Sequence, residues 1–302
     1  MINLHFGKIS TITISTIFGH SGRGIFPYSL SPSYRKLLKA AKRTKTTIFS
    51  KSGTALRRRG NWRLLYPWAW KYVQRIGGDG LLNTSGLTNM GTSINAKNIL
   101  LSHLLRYQVI PNFYPEFSKG TNLAIRETLW AISEYRKILK RNFWAAELNL
   151  SCPNAREVIT ENTEQGALCI RQVKKNYPWL IIIVKTSIVH LAETLQEWQA
   201  AGADIFHCIN TIPFLLLYPN IKSPLINVGG GSISGGPTSE KAFAHNVAMR
   251  KAVKGFMIFG CGIMNEDHVK SCLGAGAQAV SFCTAIKFDP DKVTRIITEY
   301  NQ

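Results

Sequence analysis

The sequence predicts a single α/β domain over residues 1–302, a (β/α)8 TIM barrel with an inserted excursion near residues 55–80. Three observations carry that expectation. Strand-like and helix-like stretches alternate about eight times without a break in composition, which favours a closed barrel over a doubly wound sheet. Two small-residue turns, Ala200-Ala201-Gly202-Ala203-Asp204 and Gly274-Ala275-Gly276-Ala277-Gln278, each lead from a helical stretch into an apolar one, as αβ units require. A chain of 302 residues, 45% of them hydrophobic, has the size and core material of such a barrel.

The elements follow in order. Residues 9–17 alternate like a first strand, and 33–45 read as a helix with a basic outer face. Residues 47–50 form the second strand. The stretch 55–80, with Arg57-Arg58-Arg59, three Trp and four Gly, breaks the alternation and is expected to pass over the barrel mouth. Further strands are expected at 108–113, 145–150, 180–185, 204–209, 225–228, 256–259 and 279–282. Helices are expected at 122–140, 165–177, 188–201, 240–253, 266–274 and 291–300. No apolar run reaches the ~18 residues of a membrane span. The apolar segment 214–217 is far shorter and suits an active-site loop or the core.

The net charge is +20, and it is uneven: residues 1–78 hold 15 Lys or Arg and no Asp or Glu, whereas the remainder has 22 basic and 17 acidic residues. Such a front could attract nucleic acid, anionic lipid or an acidic protein, or mark a transit-like start in the acid-free residues 1–24. A solvated basic helix face is the preferred explanation, because it needs no ligand. Six cysteines (152, 169, 208, 261, 272 and 283) show no CxxC spacing and no His cluster, which argues against zinc and a disulfide framework. That usage fits a reducing, cytoplasmic setting. Cys152 apart, they read as small apolar fillers.

The segment richest in chemistry is Glu147-Leu148-Asn149-Leu150-Ser151-Cys152-Pro153-Asn154. It reads as a buried strand that stops at a proline and leaves two amides and a thiol at its C-terminal edge. In a parallel barrel that edge is the catalytic face. An amide offers both donor and acceptor, which suits the alternating edge of a pyrimidine, and a thiol between two amides can take or give a proton. A lone cysteine in a turn is more often simply buried. Four further segments fall at expected strand ends: Lys51-Ser52-Gly53-Thr54, Asn83-Thr84-Ser85-Gly86-Leu87-Thr88-Asn89, Val184-Lys185 and Asn210-Thr211. Each alone is weak, since a lysine after a strand is ordinarily solvated and an asparagine ordinarily caps backbone.

Taken together and in this order, these five segments resemble the dihydroorotate dehydrogenases over about residues 9–287, specifically the soluble class that uses Cys where the membrane-bound class usually carries Ser. The related dihydropyrimidine dehydrogenases tend to read Ser-Cys-Pro-His, so Asn154 favours dihydroorotate as substrate. The resemblance implies an FMN enzyme of pyrimidine biosynthesis. In it Cys152 removes the C5 proton of dihydroorotate while hydride passes from C6 to flavin N5, giving orotate. It implies substrate contacts from Lys51, Asn83, Ser85, Gly86, Leu87, Asn149, Asn154, Asn210 and Thr211. It implies FMN contacts from Lys51, Ser52, Asn83, Asn149, Lys185, Gly230, Gly231, Gly260, Gly262 and Thr284, with no metal. Lys185 would sit where a positive charge favours the reduced ring. A homodimer, an iron–sulfur electron-transfer subunit and the absence of membrane attachment follow from the same likeness. The electron acceptor, fumarate or NAD through a partner, stays open.

Two departures concern the phosphate end of the flavin site. The family usually shows Gly-x-Gly-Gly-Ile where this chain has Gly260-Cys261-Gly262-Ile263-Met264, and Val-Gly-Thr-Ala where it has Phe282-Cys283-Thr284-Ala285. Glycine lets backbone N–H groups approach phosphate oxygens closely, so both changes bear on FMN affinity. The competing expectation is a barrel with an impaired flavin site that acts through its basic front as a nucleic-acid- or protein-binding module.

Overall fold

The computed structural model describes residues 1–25, 28–62, 66–151 and 162–302. Its largest sheet is parallel and nearly closed. The barrel strands are β3 (Ile12–Ser15), β4 (Thr47–Phe49), β7 (Gln108–Ile110), β8 (Asn112–Phe113), β9 (Ala145–Asn149), β10 (Ile181–Lys185), β11 (Ile205–Cys208), β14 (Phe256–Phe259) and β15 (Ala279–Phe282). They pair in the order β7-β4-β3-β15-β14-β11-β10-β9-β8. The two ends of that list are one strand: only Pro111, which has no N–H to give the ladder, separates β7 from β8. The Pro111 carbonyl still accepts from Glu147 N at 2.9 Å, so the ring closes. The result is an eight-stranded TIM barrel.

Strand alternation layers the interior. In-register pairs place Ala145 beside Ile181, Glu147 beside Ile183 and Asn149 beside Lys185, and Ile183 beside Ile205 and Lys185 beside His207. The lowest layer is apolar: Ala145, Ile183, Ile205, Ile258, Ala279, Phe49 and Ile110 pack in one cluster with Ile2 and Ile9. The last two come from an antiparallel hairpin, β1 (Ile2–Leu4) and β2 (Gly7–Ile9), that stoppers the bottom of the barrel. Above this layer the interior turns polar, and there the site begins. The outer core lies between the sheet and its helices, and the C-terminus is tied to it where Asn301 exchanges 2.8 Å bonds with both Ile12 N and Ile12 O.

The helices are α1 (Pro32–Arg43), α2 (Thr92–Leu104), α3 (Thr121–Leu139), α4 (Asn162–Asn176), α5 (Ala192–Ala201), α6 (Phe214–Leu217), α7 (Ser239–Ala252), α8 (Glu266–Gly274), α9 (Ala285–Phe288) and α10 (Pro290–Tyr300). Helix α1 buries Tyr34, Leu37, Leu38, Ala40 and Ala41 and turns Arg35, Lys36, Lys39, Lys42 and Arg43 to solvent, the basic outer face expected of it. Helices α8 and α10 start on side-chain caps, Asn265 accepting from His268 N at 2.9 Å and Asp289 from Lys292 N at 2.8 Å. No helix among the described residues is long and apolar enough to cross a membrane.

Three expectations change. Residues 225–228 are not a strand but a turn, with Ile226–Val228 in a single 3-10 turn; the run is apolar but too short to reach the ring. Helix α2 has no counterpart in the sequence reading, because the face it buries carries Thr92, Asn95 and Ser102 while Ile94, Leu101 and Leu104 are exposed. An apolar stripe therefore does not mark it. The excursion is real but extends further than residue 80. Strands β5 (Val73–Ile76) and β6 (Gly80–Asn83) form a hairpin that joins β12 (Ile212–Pro213) and β13 (Ser232–Gly235) in a four-stranded antiparallel sheet, order β12-β13-β6-β5.

Candidate active site

At the C-terminal end of the barrel strands a cavity of about 450 Å³ opens beneath the excursion. Lys51, Ser52, Asn83, Ser85, Leu87, Asn149, Lys185, Asn210, Thr211, Gly260, Gly262 and Thr284 all line it. These come from segments far apart in sequence, and the barrel brings them to one place. Gly86 lies between two lining residues and makes the turn there at φ +70°. Gly230 and Gly231 are not on the wall: Gly230 O accepts from Ser223 Oγ, and Gly231 O from Phe214 N at 3.0 Å, so they shape the turn into β13. Gly235, at the end of β13, takes the place on the wall. Cys152 and Asn154 lie outside the described residues.

The polar side chains on the floor are held, not loose. Asn149, 3% exposed, donates from Nδ2 to Ser52 Oγ at 2.8 Å, and its Oδ1 accepts from Ser151 N at 3.2 Å and Ser151 Oγ at 2.8 Å. The amide plane is thereby fixed. Lys185 Nζ donates to Ser15 Oγ at 2.7 Å and stays inside the barrel, 3% exposed. Lys51 Nζ lies 5.6 Å from the ring centre of Trp62, a cation–π distance, and Trp62 and Trp70 bring the excursion over the cavity. The side chain of Thr284 donates to Ser234 Oγ at 2.8 Å at the far wall.

Several wall residues were not among the expected site residues. Ser15, His207 and Ser281 line the cavity from strands β3, β11 and β15, Thr16, Cys261 and Cys283 from the segments just after strand ends, and Lys287 from α9. Two of the cysteines read as fillers, Cys261 and Cys283, are thus wall residues; Cys169, Cys208 and Cys272 are the buried ones in the core. Cys261 sits at φ +66°, where glycine is the usual occupant, and its Sγ contacts Thr238 Oγ1 at 3.2 Å. Burial pushes the Cys261 thiol up to about 12 and that of Cys283 up as well, so both are neutral thiols and do not oppose an anion.

Of the glycines that remain, Gly262 is sterically required. A Cβ on Gly262, at φ +72°, would lie 2.4 Å from Ser239 Cα and 2.7 Å from Ser239 N, in the backbone of α7. Gly262→Ala is therefore expected to lower stability by about 2–4 kcal/mol, from left-handed strain plus overpacking. A urea midpoint equal to wild type would contradict this placement.

His20 is another residue that the sequence did not flag. It ties two site loops together, with Nδ1 3.1 Å from Lys51 O and Nε2 2.9 Å from Thr88 O. Burial first, then the Lys51 charge, lowers its pKa to about 4, against the two carbonyls that favour the imidazolium. The unfolded chain takes up this proton near the ordinary 6.5, so between pH ~6.5 and ~4 protonation favours unfolding. Stability is expected to fall by about 2–3 kcal/mol as pH drops through that window and to level off below it. Urea melts of wild type and His20→Gln at pH 7 and pH 4.5 test this: the variant should lose the His20 share of the slope, while His103, His207 and His245, which burial also lowers, keep the rest.

The donor set fits a flavin mononucleotide. There are cations and amides at one part of the cavity, a threonine hydroxyl and close-packed glycines at another, and the buried Ser281 Oγ has no protein partner and belongs to a lining residue. Among the described residues no group of His, Cys, Asp and Glu could hold a metal ion. A parallel barrel with such a cavity at its C-terminal face defines a flavin-binding oxidoreductase.

The comparisons with known proteins agree. A family model described as dihydroorotate dehydrogenase matches residues 35–302, and the chain belongs to the dihydroorotate dehydrogenase family. It is accordingly an FMN-dependent oxidoreductase of the type that oxidises dihydroorotate in pyrimidine biosynthesis. The chain is similar to the dihydroorotate dehydrogenase B (NAD(+)) catalytic subunit of Desulforamulus reducens, 30% identical over 228 residues, covering 72% of this chain and 70% of that protein. The protein of the same name from Citrifermentans bemidjiense is 30% identical over 235 residues, covering 74% and 72%. In fold, the chain resembles the crystal structure of Eimeria tenella dihydroorotate dehydrogenase in complex with ferulenol, with a TM-score of 0.69 at 15% identity over 96% of this chain and 80% of that one.

Proposed function

We propose that residues 1–302 form one catalytic domain that binds FMN and dihydroorotate in the barrel cavity, with Cys152 as the base that removes the C5 proton. The observation that carries this reading is the convergence of Lys51, Asn83, Asn149, Lys185, Asn210 and Thr211 on a single cavity. Asn83, Asn149, Asn154 and Asn210 hold the pyrimidine edge, and Lys51 pairs with the carboxylate. Ser52, Lys185, Gly235, Gly260, Gly262 and Thr284 hold FMN, which when bound supplies the acceptor for the substrate's hydride. A thiol, with an ordinary pKa near ~8.5, serves as a base when cations nearby favour its thiolate. Excluding water from the floor is the work of the apolar layer below and the two tryptophans above.

The relatives named as NAD(+) catalytic subunits support a second proposal: this chain delivers its electrons toward NAD through a separate subunit. That this subunit carries iron–sulfur centres, and that the chain works as a homodimer in the cytoplasm, are proposals that rest on the family resemblance alone. The experiment that tests the primary reading is the visible spectrum of the purified protein with FMN, followed by anaerobic addition of dihydroorotate. Bleaching of the flavin band is the expected result. Bound flavin that stays oxidised would overturn the substrate, and a protein that takes up no FMN would overturn the site and favour the charge-driven binding module.

A further inference from the structure

Directly beneath the cavity lies a buried acid that neither substrate nor cofactor reaches in the reading above. Glu147 is 0% exposed and points into the barrel one layer below Asn149. Its Oε1 is 2.5 Å from His207 Nδ1, and its Oε2 accepts from Asn112 Nδ2. His207, 1% exposed, stands beside Lys185 in the β10–β11 register and lines the cavity floor. Its Nε2 is turned along Gly260, where an added Cβ would come within 3.1 Å of that nitrogen. Phe49 packs against the ring, centroids 5.0 Å apart. A carboxylate with donors on both oxygens is satisfied in its charged form, and a cation one layer above offsets it.

The directions of titration agree with that geometry. Burial works against charge on Glu147, but the Lys185 charge and the hydrogen bonds from His207 and Asn112 hold the carboxyl below its usual range. Burial and the Lys185 charge lower His207 despite the carboxylate beside it, which leaves a neutral ring. A neutral imidazole donating from Nδ1 to Glu147 has a bare Nε2 on the cavity side.

We propose that Glu147 and His207 are a positioning pair for the cofactor floor: Glu147 is the counter-ion that offsets the Lys185 ammonium, and it fixes His207 with Nδ1–H on the carboxylate and Nε2 bare. This rests on the reading that FMN lies over Lys185. With the pair intact, the floor is close to neutral. Without the carboxylate, the lysine charge is uncompensated, and the reduced, anionic form of the cofactor gains relative to the oxidised form.

Glu147→Gln keeps the shape and an acceptor oxygen but removes the charge. In this variant the reduction equilibrium of bound FMN, measured anaerobically against an indicator dye, is expected to move toward the reduced form on the order of tenfold. Glu147→Asp, which keeps the negative charge, should leave the same equilibrium within about twofold of wild type. A purely structural role would alter stability in both variants without moving the equilibrium in only one. Nitrogen NMR of the wild-type holoprotein gives a readout that needs no variant to fold: His207 should be neutral and protonated on Nδ1 at pH 7. Wild type that binds FMN while Glu147→Gln leaves the equilibrium unchanged would overturn the pairing alone, as would a doubly protonated His207. Failure of wild type to bind FMN would overturn the site itself.

Discussion

Replacing Cys152 with alanine is expected to slow reduction of bound FMN by dihydroorotate by roughly 100- to 10,000-fold, the usual contribution of a positioned general base. FMN affinity should stay near that of wild type, because groups assigned to the floor are held by partners among the described residues. Asn149 is fixed by Ser52 and Ser151, Lys185 by Ser15, and Leu150 N donates to Lys185 O at 3.2 Å. The end of β9 is therefore anchored on both sides before residue 152 is reached. Stopped-flow bleaching under anaerobic conditions reads the rate, and a flavin titration reads the affinity. A variant that bleaches as fast as wild type would remove Cys152 from the role of base while leaving the family assignment intact.

The second large effect is on stability. Trp198 in α5 is 0% exposed, donates from Nε1 to Thr163 O at 2.8 Å and meets His190 edge-on with ring centroids 4.8 Å apart. Gly166 in α4 is small because the indole needs the room: a Cβ there would lie 2.8 Å from Trp198 Nε1. Trp198→Ala removes the largest side chain of this packing and leaves a cavity with an unsatisfied carbonyl on its wall. The expected loss is about 3–5 kcal/mol, with Trp198→Phe intermediate because it refills most of the volume but not the hydrogen bond. Equilibrium urea unfolding of the three proteins measures it; equal midpoints would show that α4 and α5 do not rely on this contact.

Much of this molecule was legible in its sequence because barrel units repeat the same local signals. Strands such as Ile181–Lys185 are runs of β-branched residues, and Glu266–Gly274 has a capping Asn before it and a small-residue turn after it. The candidate residues that meet at the cavity were visible because most follow a strand end and several form recognisable short motifs. What escaped depends on tertiary placement. Helix α2 packs a polar face, so no stripe announces it. The antiparallel sheet over the mouth is built from strands of two to four residues whose partners are up to 155 positions apart, as for Gly80 and Gly235. Glu147 and His207 are 60 positions apart and meet only through the register of β9, β10 and β11. Gly235 stood one motif away from the glycines that the sequence favoured, and only the fold distinguishes those that turn the chain from those that face the cavity.

The hairpin that stoppers the lower end of the barrel fixes the order of events during turnover. With Ile2 and Ile9 packed into the bottom layer, the cavity is a cul-de-sac. Among the described residues the cavity opens under Trp62 and Trp70, and in the proposed reading dihydroorotate enters and orotate leaves there. A diffusible oxidant would queue at that doorway until the product had gone, so the two halves of the reaction would be strictly alternating visits. An electron-transfer partner docked on the barrel's flank escapes the queue, because electrons cross a protein wall that molecules cannot.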